Sequence, residues 1–373
     1  MHTPVRRAAF ASLVASVLAL GVAVPVASVA AAAPGSRALR PHTAPAAVSV
    51  AAAAAGWIAR DLSANGALID ANSKKASVPD TSNAILALVA ARQGANQVKS
   101  AVNWLKHNYA SYVSSNGVDD PGALALVTLA AVAAGANPHQ FGGTTSADDL
   151  VARLTATEQT TGAFGTGPDS NAFYQSLALL ALAAVKNTSK ATRLGESYLA
   201  SLQCTDGGWE YGRTAITAAC ATPSPKDYSS PDTNTTALAV MAIVATGGHF
   251  AHNPVSFFAA SQETDASFGF YGVSGKGQKG DPDSTAYSIQ ALIALHAIGD
   301  KAFVRKGTTV EQALAGFQLG CKTPVSERGE FEYFGAPNQL ATLQAVPGAA
   351  AVAFPLTARK LSVAEPRLSC SAS

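Results

Sequence analysis

The chain has 373 residues, of which 48% are hydrophobic and 13% charged, and its formal net charge is +2. That is enough apolar material for a large core, in one big domain or two small ones. Lys and Arg are scattered without a basic stripe, which argues against a nucleic-acid partner. Alanine is abundant and only 7% of residues are aromatic, so the composition favours helix.

Residues 1–30 have the pattern of a secretory signal peptide. Arg6 and Arg7 precede the apolar run Ala8–Val24, and small residues follow up to Ala30. We place cleavage between Ala30 and Ala33; a retained membrane anchor is the alternative. After cleavage we expect a secreted protein without a membrane span, because each of the other long apolar runs has only about ten residues. These runs are Leu124–Ala134, Ser176–Val185 and Ala237–Ala245.

The cysteines indicate how the mature chain is held together. Residues 31–54 are predicted to be a flexible leader rich in Ala and Pro, residues 55–350 a repeat domain, and residues 351–373 a C-terminal tail. Four cysteines in an exported chain suggest disulfides, with three pairings possible. We favour Cys204–Cys220, which closes a local loop, and Cys321–Cys370, which ties the tail to the body. A metal site is the alternative, although no C-x-x-C motif occurs.

One sequence phrase recurs six times between residues 55 and 350. Each copy has Asp or Asn, usually after Pro, and leads into an Ala- and Leu-rich segment; successive copies are 40 to 63 residues apart. This spacing is typical of repeat architectures. The acidic or amide side chain can accept hydrogen bonds from the first turn of a helix, so we predict six N-caps. They are Asp80, Asp120, Asp169, Asp232, Asp283 and Asn338.

The repeats alternate two kinds of predicted helix. Those that follow the caps are apolar almost all round, which is typical of a buried inner layer. Residues 98–113 instead form an amphipathic pattern, with one apolar stripe and a polar remainder, which predicts a surface helix. The predicted fold is therefore all-α, with six inner and six outer helices closed into a ring.

The outer helices end in a second recurring phrase, whose best copy runs from Tyr198 through Gln203 and Gly207-Gly208 to Trp209. It resembles the glutamine–tryptophan repeat of the squalene cyclase and protein prenyltransferase superfamily. Residues 283–292 are similar to the inner-helix phrase of that superfamily, which includes cobalamin carriers of the transcobalamin and intrinsic-factor type. The resemblance covers residues 56–350 and implies an α/α toroid with a central cavity. Weaker copies are Gln159 to Phe164, Gln262 to Phe268 and Gln318 to Phe331.

The residues that carry out chemistry in that superfamily are not recognisable. Cyclases use an acidic residue in an Asp-x-Asp-Asp motif, and the nearest match here is Asp119-Asp120. The alternative interpretation is that one of these residues caps a helix and the other is a solvated neighbour. Prenyltransferases hold zinc through an Asp-x-Cys pair and a His; here only His249 and His252 offer half a metal site. The thioester motif of complement proteins is missing. We therefore predict no metal, no identified cofactor and no catalytic residue, and cobalamin binding has no support because no covering β domain is recognisable.

Aromatic residues on the longest loops and at the starts of two inner helices indicate a binding site. In a toroid these loops lie at the rim where the inner helices begin, and loops on a rigid scaffold commonly bind ligands. We predict a secreted, monomeric, non-catalytic protein that binds a small hydrophobic or cofactor-like ligand, or a surface partner, at this rim. The alternatives are a cyclase- or transferase-like enzyme and a structural module. The predicted contacts are Trp209, Tyr211, Tyr228, Phe270, Tyr271, Tyr174 and Tyr287.

Glycan cleavage by paired carboxylates is a further alternative, because several acidic residues occupy loops whose separations the sequence does not give. They are Glu210, Asp227, Glu327, Glu330 and Glu332.

Overall fold

A computed structural model describes residues 48–213, 219–225, 227–275, 278–368 and 370. The predicted signal peptide and residues 31–47 of the leader lie outside these ranges and stay predictions. Residues 48–54, placed in the flexible leader by sequence, instead include the start of the first helix, which begins at Val50 with its N-terminus capped by Ser49. The side chains of the alanine run Ala51–Ala55 are largely buried, so this run packs as part of the fold.

The described residues form thirteen α-helices, with four short 3₁₀ turns between them. In chain order the helices are α1 Val50–Asp61, α2 Val78–Ala91, α3 Ala95–Asn108, α4 Ala110–Val113, α5 Pro121–Ala133, α6 Leu150–Ala156, α7 Ala172–Ala184, α8 Lys190–Ser201, α9 Thr233–Thr246, α10 Pro254–Ser261, α11 Pro282–Ala294, α12 Val310–Gly316 and α13 Gln339–Ala349. The 3₁₀ turns are Pro138–Gln140, Ser146–Asp148, Gly167–Asp169 and Lys301–Phe303.

Short antiparallel hairpins lead into four of the inner helices. Each strand has only two or three residues, so the hairpins serve to position the start of the helix that follows. The strands are β1 Leu68–Ile69 with β2 Ala76–Ser77, β3 Ser114–Ser115 with β4 Val118–Asp119, β5 Trp209–Glu210 with β6 Pro231–Asp232, and β7 Phe331–Tyr333 with β8 Ala336–Asn338.

The inner helices close into a ring. Helices α2, α5, α7, α9, α11 and α13 each pack on the next, and α13 packs back on α2. The outer helices α1, α3, α6, α8, α10 and α12 lie against this ring. The inner layer is largely buried, as predicted; in α5 every residue except Val132 is buried. The architecture is therefore the predicted α/α toroid of six inner and six outer helices.

Recurring glutamines join neighbouring outer segments. The side-chain amide of Gln203 donates to the carbonyl of His252 at 2.8 Å, just before α10 begins. Gln262 donates in the same way to Phe303. Gln318 donates to the carbonyl of Val50 at 2.9 Å, so the last copy of the phrase binds the first outer helix. This hydrogen bond closes the outer layer, because it joins the segment after the last outer helix to the first outer helix.

The inner helices begin at equivalent N-cap positions, where a side-chain oxygen accepts from the backbone N–H three residues later. Asp120, Asp232 and Asn338 occupy this position, with oxygen–nitrogen distances of 2.8 to 2.9 Å. They are three of the six residues proposed from sequence.

The other three sequence-based cap assignments are wrong by two or three residues, because the caps are Ser77, Asn171 and Asp281. The assignment took each proline as the end of the preceding segment. Proline instead occupies the first turn of α2 and α11, where its missing N–H costs nothing, so the N-cap of each helix lies before the proline. Asp80 and Asp283 therefore lie inside the first turn, and Asp169 ends a 3₁₀ turn before α7.

The residue four positions after the N-cap faces the outer layer. In five of the inner helices it is Thr or Gln, and its side-chain oxygen accepts the backbone N–H of the residue that ends the outer-helix phrase. The oxygen–nitrogen distances are 2.8 to 3.0 Å. The pairs are Thr81 with Leu68, Gln175 with Phe164, Thr236 with Trp209, Thr285 with Phe268, and Thr342 with Phe331.

The tail crosses the end of the ring at which the inner helices stop. The backbone N–H of Phe354 lies 3.4 Å from the sulfur of Met241 in α9. Ala358 then lies beside Gly135, directly after α5, and Ser362 forms two backbone hydrogen bonds with the end of α2 and the start of α3. We call residues 351–368 the strap; it runs from α13 across to α9, then to α5 and α2, and so covers this end.

Both favoured disulfides are present. Cys204–Cys220 closes the local loop, and Cys321–Cys370 ties the tail to the segment after α12. Disulfides persist in oxidising compartments, which agrees with the predicted export. In the described part of the chain, every helix is too short or too polar to cross a bilayer.

Candidate functional site

Positions two and six residues after each N-cap face the axis of the ring. The residue four after the N-cap points to the outer layer, and two residues along a helix correspond to a rotation of about 200°. Positions +2 and +6 therefore lie on the opposite side, and we call these residues the cup. Position +2 holds Pro79, Gly122, Phe173, Asn234, Asp283 and Leu340; position +6 holds Asn83, Leu126, Leu177, Leu238, Tyr287 and Gln344.

The cup is open at its mouth and packed at its base. All residues at position +2 except Gly122 are partly exposed. Three residues deeper, at position +9, each residue is buried, and Met241 and Gln290 have no exposed surface. The strap lies beyond this layer. The axis is therefore accessible at the rim where the inner helices begin.

The two sides of the cup differ in chemistry. Helices α5 and α7 contribute Leu126, Phe173 and Leu177, which are apolar. The facing helices α11 and α13 contribute hydrogen-bonding groups, including Tyr287 and Gln344. The Oε1 atom of Gln344 is buried and has no hydrogen-bond partner among the described residues. Such an atom normally has a water or ligand partner.

Two carboxyl groups lie at the start of α11. Asp281 caps the helix, accepting from the N–H of Ser284 at 2.7 Å and from its hydroxyl at 3.0 Å. Burial raises the pKa of Asp281 to about 6 in spite of these bonds. Asp283 faces the cup, and its Oδ1 is buried without a hydrogen-bond partner among the described residues. Burial, and then the adjacent Asp281, hold the pKa of Asp283 well above its ordinary value. Asp283 is therefore the member of the pair whose protonated form is favoured by its surroundings.

Asp232 is a third buried carboxyl at the rim. Only 1% of its surface is exposed. It accepts from the N–H of Thr235 at 2.8 Å, and burial raises its pKa to about 7. Its backbone lies between two neighbours, pairing with Trp209 on one side and with Tyr271 on the other. This pairing places the two longest loops on opposite sides of Asp232.

The predicted contacts Tyr174 and Tyr211 come together on the apolar side. The hydroxyl of Tyr174 donates to that of Tyr211, and burial raises the pKa of both. Phe173 packs between them, with ring centroids 6.1 Å from Tyr174 and 5.5 Å from Tyr211. Gly122 makes this arrangement possible, because a Cβ there would lie 2.5 Å from the Tyr174 ring.

The predicted contacts Tyr228, Phe270 and Tyr271 also form one group, with ring centroids 5.2 to 5.7 Å apart. Tyr228 is 45% exposed. Tyr287 lies apart from this group, in the cup itself, where burial and then Asp283 raise the pKa of its phenol.

Trp209 was wrongly predicted to contact a ligand. It has no exposed surface, its indole N–H donates to the carbonyl of Leu199 at 2.8 Å, and its ring packs edge-on against Phe250. Its role is to fix the end of α8 against α9. The phrase that drew attention to it is therefore structural.

Sequence reasoning missed several residues of this rim. Asp281 was overlooked because the cap was assigned to Asp283. Tyr112 is partly exposed and lies near Asp120 and Tyr174, but it follows an outer helix. Tyr333 and Phe334 precede the sixth inner helix, where an insertion hides the repeat. With the correct cap register, positions +2 and +6 would have identified Phe173 and Gln344.

Two further sequence candidates, Asp119 and Glu210, are held by structural contacts. Asp119 forms a two-point ion pair with Arg153, at 2.6 and 3.0 Å. Glu210 pairs with Arg213 at 3.2 Å. Glu210 also lies close to the sulfurs of Cys204 and Cys220, but these are bonded to each other and so do not offer thiolates to a metal.

No family model and no curated protein matches this chain. Several solved structures do match this chain. An α-amylase from Clostridium perfringens aligns with a TM-score of 0.56 at 12% identity, covering 81% of this chain and 97% of that one. An inactive variant of an α-1,6-mannanase from Salegentibacter sp. HEL1_6 aligns at 0.54, with 12% identity and the same coverage. The type II terpene cyclase MstE from Scytonema aligns at 0.51, with 16% identity, covering 81% and 96%. These likenesses show that the chain has the α/α-toroid fold.

Proposed function

We propose that this is a secreted protein that binds a small, partly apolar ligand in the cup at the inner-helix N-terminal rim. The observation that carries the proposal is the two-sided lining of the cup, with Leu126, Phe173 and Leu177 facing Tyr287 and Gln344. Such a lining suits a ligand that is apolar on one side and hydrogen-bonding on the other.

The polar side of the cup offers both a donor and an acceptor. Burial raises the pKa of Asp283, and in its protonated form this carboxyl can donate a hydrogen bond; Oε1 of Gln344 can accept one. Leaving a buried polar group unpaired costs about 1–3 kcal/mol, so a ligand that satisfies both groups gains selectivity over a hydrocarbon of the same shape.

Filling the cup tests the proposal. The neutral fluorescent probe N-phenyl-1-naphthylamine is titrated into the purified protein, into Leu177→Trp, which fills the apolar side, and into Val325→Trp, which adds the same ring at a site 68% exposed. We expect saturable binding by the wild type and by Val325→Trp, and binding at least tenfold weaker in Leu177→Trp. Absence of saturable binding, or equal binding by both variants, would contradict the proposal. Native mass spectrometry of protein from culture supernatant would then identify a retained ligand.

Acid catalysis in the same cup is a second candidate, favoured by one observation: Asp283 faces the cup beside the carboxyl of Asp281, and burial and this neighbour raise the pKa of Asp283. Such an arrangement suits a general acid. For an alkene substrate the O–H bond of Asp283 would break as a C–H bond forms, and the resulting cation would lose a proton or add water.

The catalytic candidate is tested with squalene and geranylgeranyl diphosphate, followed by gas chromatography and mass spectrometry. Turnover that Asp283→Asn abolishes and that the surface variant Asp300→Asn retains would support it. A wild type that leaves both substrates intact, or equal turnover by Asp283→Asn, would reject it for these substrates. Binding of the fluorescent probe does not depend on this result, so the two candidates are separable.

A further inference from the structure

Five aromatic side chains lie at the mouth of the cup, outside the cup itself, as a group of three and a pair. Tyr228, Phe270 and Tyr271 pack together with centroids 5.2 to 5.7 Å apart, and the phenols of Tyr228 and Tyr271 are hydrogen-bonded. Tyr333 and Phe334, in the hairpin before α13, lie 4.5 Å apart. The phenol of Tyr333 interacts electrostatically with those of Tyr228 and Tyr271. We call these five residues the aromatic platform.

Among the described residues, the platform contains the two most exposed aromatic side chains, Tyr228 and Phe334. Tyr228 is 45% and Phe334 51% exposed, and the other three rings are partly exposed. By contrast, Trp209, Phe268 and Phe331, which belong to the outer-helix phrase, have no exposed surface. An exposed group of rings on a rigid rim is unusual for a protein surface and is typical of a binding site.

The chemistry of the platform is amphipathic. Three of its five rings carry hydroxyl groups, which can donate and accept hydrogen bonds. The charged groups that act on Tyr271 and Tyr333 are carboxyls, namely Asp227, Asp281 and Asp283. Of these, Asp227 is the one whose charged form is favoured, because hydrogen bonds from Ser229 lower its pKa. Carboxylates accept hydrogen bonds from hydroxyl groups and repel other anions.

We infer that the aromatic platform binds a neutral glycan. The C–H face of a pyranose ring packs on an aromatic ring, and its hydroxyl groups meet the phenols and carboxylates around it. Charge complementarity excludes anionic glycans, and the hydroxylated rings fit a sugar better than an acyl chain. The inference goes beyond the proposed function, because the platform lies outside the cup and its ligand is independent of what the cup holds.

Affinity gel electrophoresis tests this inference with named polysaccharides: amylose, yeast mannan and laminarin as neutral glycans, and polygalacturonate as an anionic one. We expect retardation by at least one neutral glycan, and none by polygalacturonate. The double variant Tyr228→Ala/Phe334→Ala should weaken retardation at least tenfold. Both side chains are exposed, and circular dichroism verifies that the variant is folded.

Two controls define the result. Trp104→Ala removes a partly exposed aromatic residue from outer helix α3, and it should bind like the wild type. Leu177→Trp fills the cup and should also bind glycan normally, so loss of probe binding and loss of glycan binding are distinguishable. The inference is overturned if no neutral glycan retards the protein, if polygalacturonate retards it equally, or if the double variant binds as the wild type does.

Discussion

At the scale of single residues, Asp232 makes stability depend on pH. Its pKa is raised from 3.8 to about 7 by burial, so the folded state binds a proton that the unfolded chain has released. This contribution is fully present below pH 4 and is lost as the pH rises through 7. We therefore expect the melting temperature to fall between pH 5 and pH 8.

The variant Asp232→Asn should reduce that fall, because asparagine retains an oxygen that caps α9 and has no charge to desolvate. Melting temperatures measured from pH 5 to pH 8 check this, with the surface variant Asp300→Asn as the control. An unchanged pH profile in Asp232→Asn would show that the pH dependence originates elsewhere.

Gly122 offers a second prediction at this scale. A Cβ at this position would lie 2.5 Å from the Tyr174 ring, so Gly122→Ala must displace that ring from its packed position. We expect it to destabilise the fold by about 1–3 kcal/mol. Gly316→Ala is the matched control: Gly316 ends outer helix α12, and nothing lies within 4 Å of the added Cβ. That change should be neutral or slightly stabilising. Urea unfolding of both variants distinguishes overpacking from the general effect of alanine.

At the scale of helices, the corrected cap register gives a direct test. The hydroxyl of Ser77 accepts from the N–H of Asp80 at 3.3 Å and caps α2. Ser77→Ala should lower the free energy of unfolding by about 1 kcal/mol. Asp80→Ala should cost less, because burial raises the pKa of this carboxyl and its charged form is disfavoured in the folded state. Equal losses in urea unfolding, or a larger loss for Asp80→Ala, would restore the assignment made from sequence.

The predicted and observed N-caps show which features of the fold could be predicted from sequence and which could not. The inner helices were predictable, because segments such as 121–133 are apolar all round and only a buried layer accommodates them. Half of the N-caps were not predictable from sequence, because prolines such as Pro79 and Pro282 can either end the preceding segment or occupy the first turn of the helix that follows. The burial of Trp209 depends on packing against α9, which no local pattern shows. The aromatic residues Tyr333 and Phe334 were missed because the insertion after Gln318 obscures the sixth repeat.

At the scale of the whole molecule, the strap is fixed at its end by Cys321–Cys370. This disulfide spans 49 residues, against 16 for Cys204–Cys220. Chain-entropy estimates give about 4 kcal/mol for the longer loop and about 3 kcal/mol for the shorter one. We expect Cys321→Ser/Cys370→Ser to be the more destabilised double variant, and to be cleaved within residues 351–368 by limited proteolysis. A strap that stays resistant without its disulfide would mean that backbone contacts alone hold it.

The strap also affects ligand exchange. Because it covers the end of the ring where the inner helices stop, anything held on the axis has one route in and the same route out. Occupation of the mouth by a large polymer would then slow arrival and departure equally. Residence time would lengthen although the equilibrium affinity of the held molecule stayed constant.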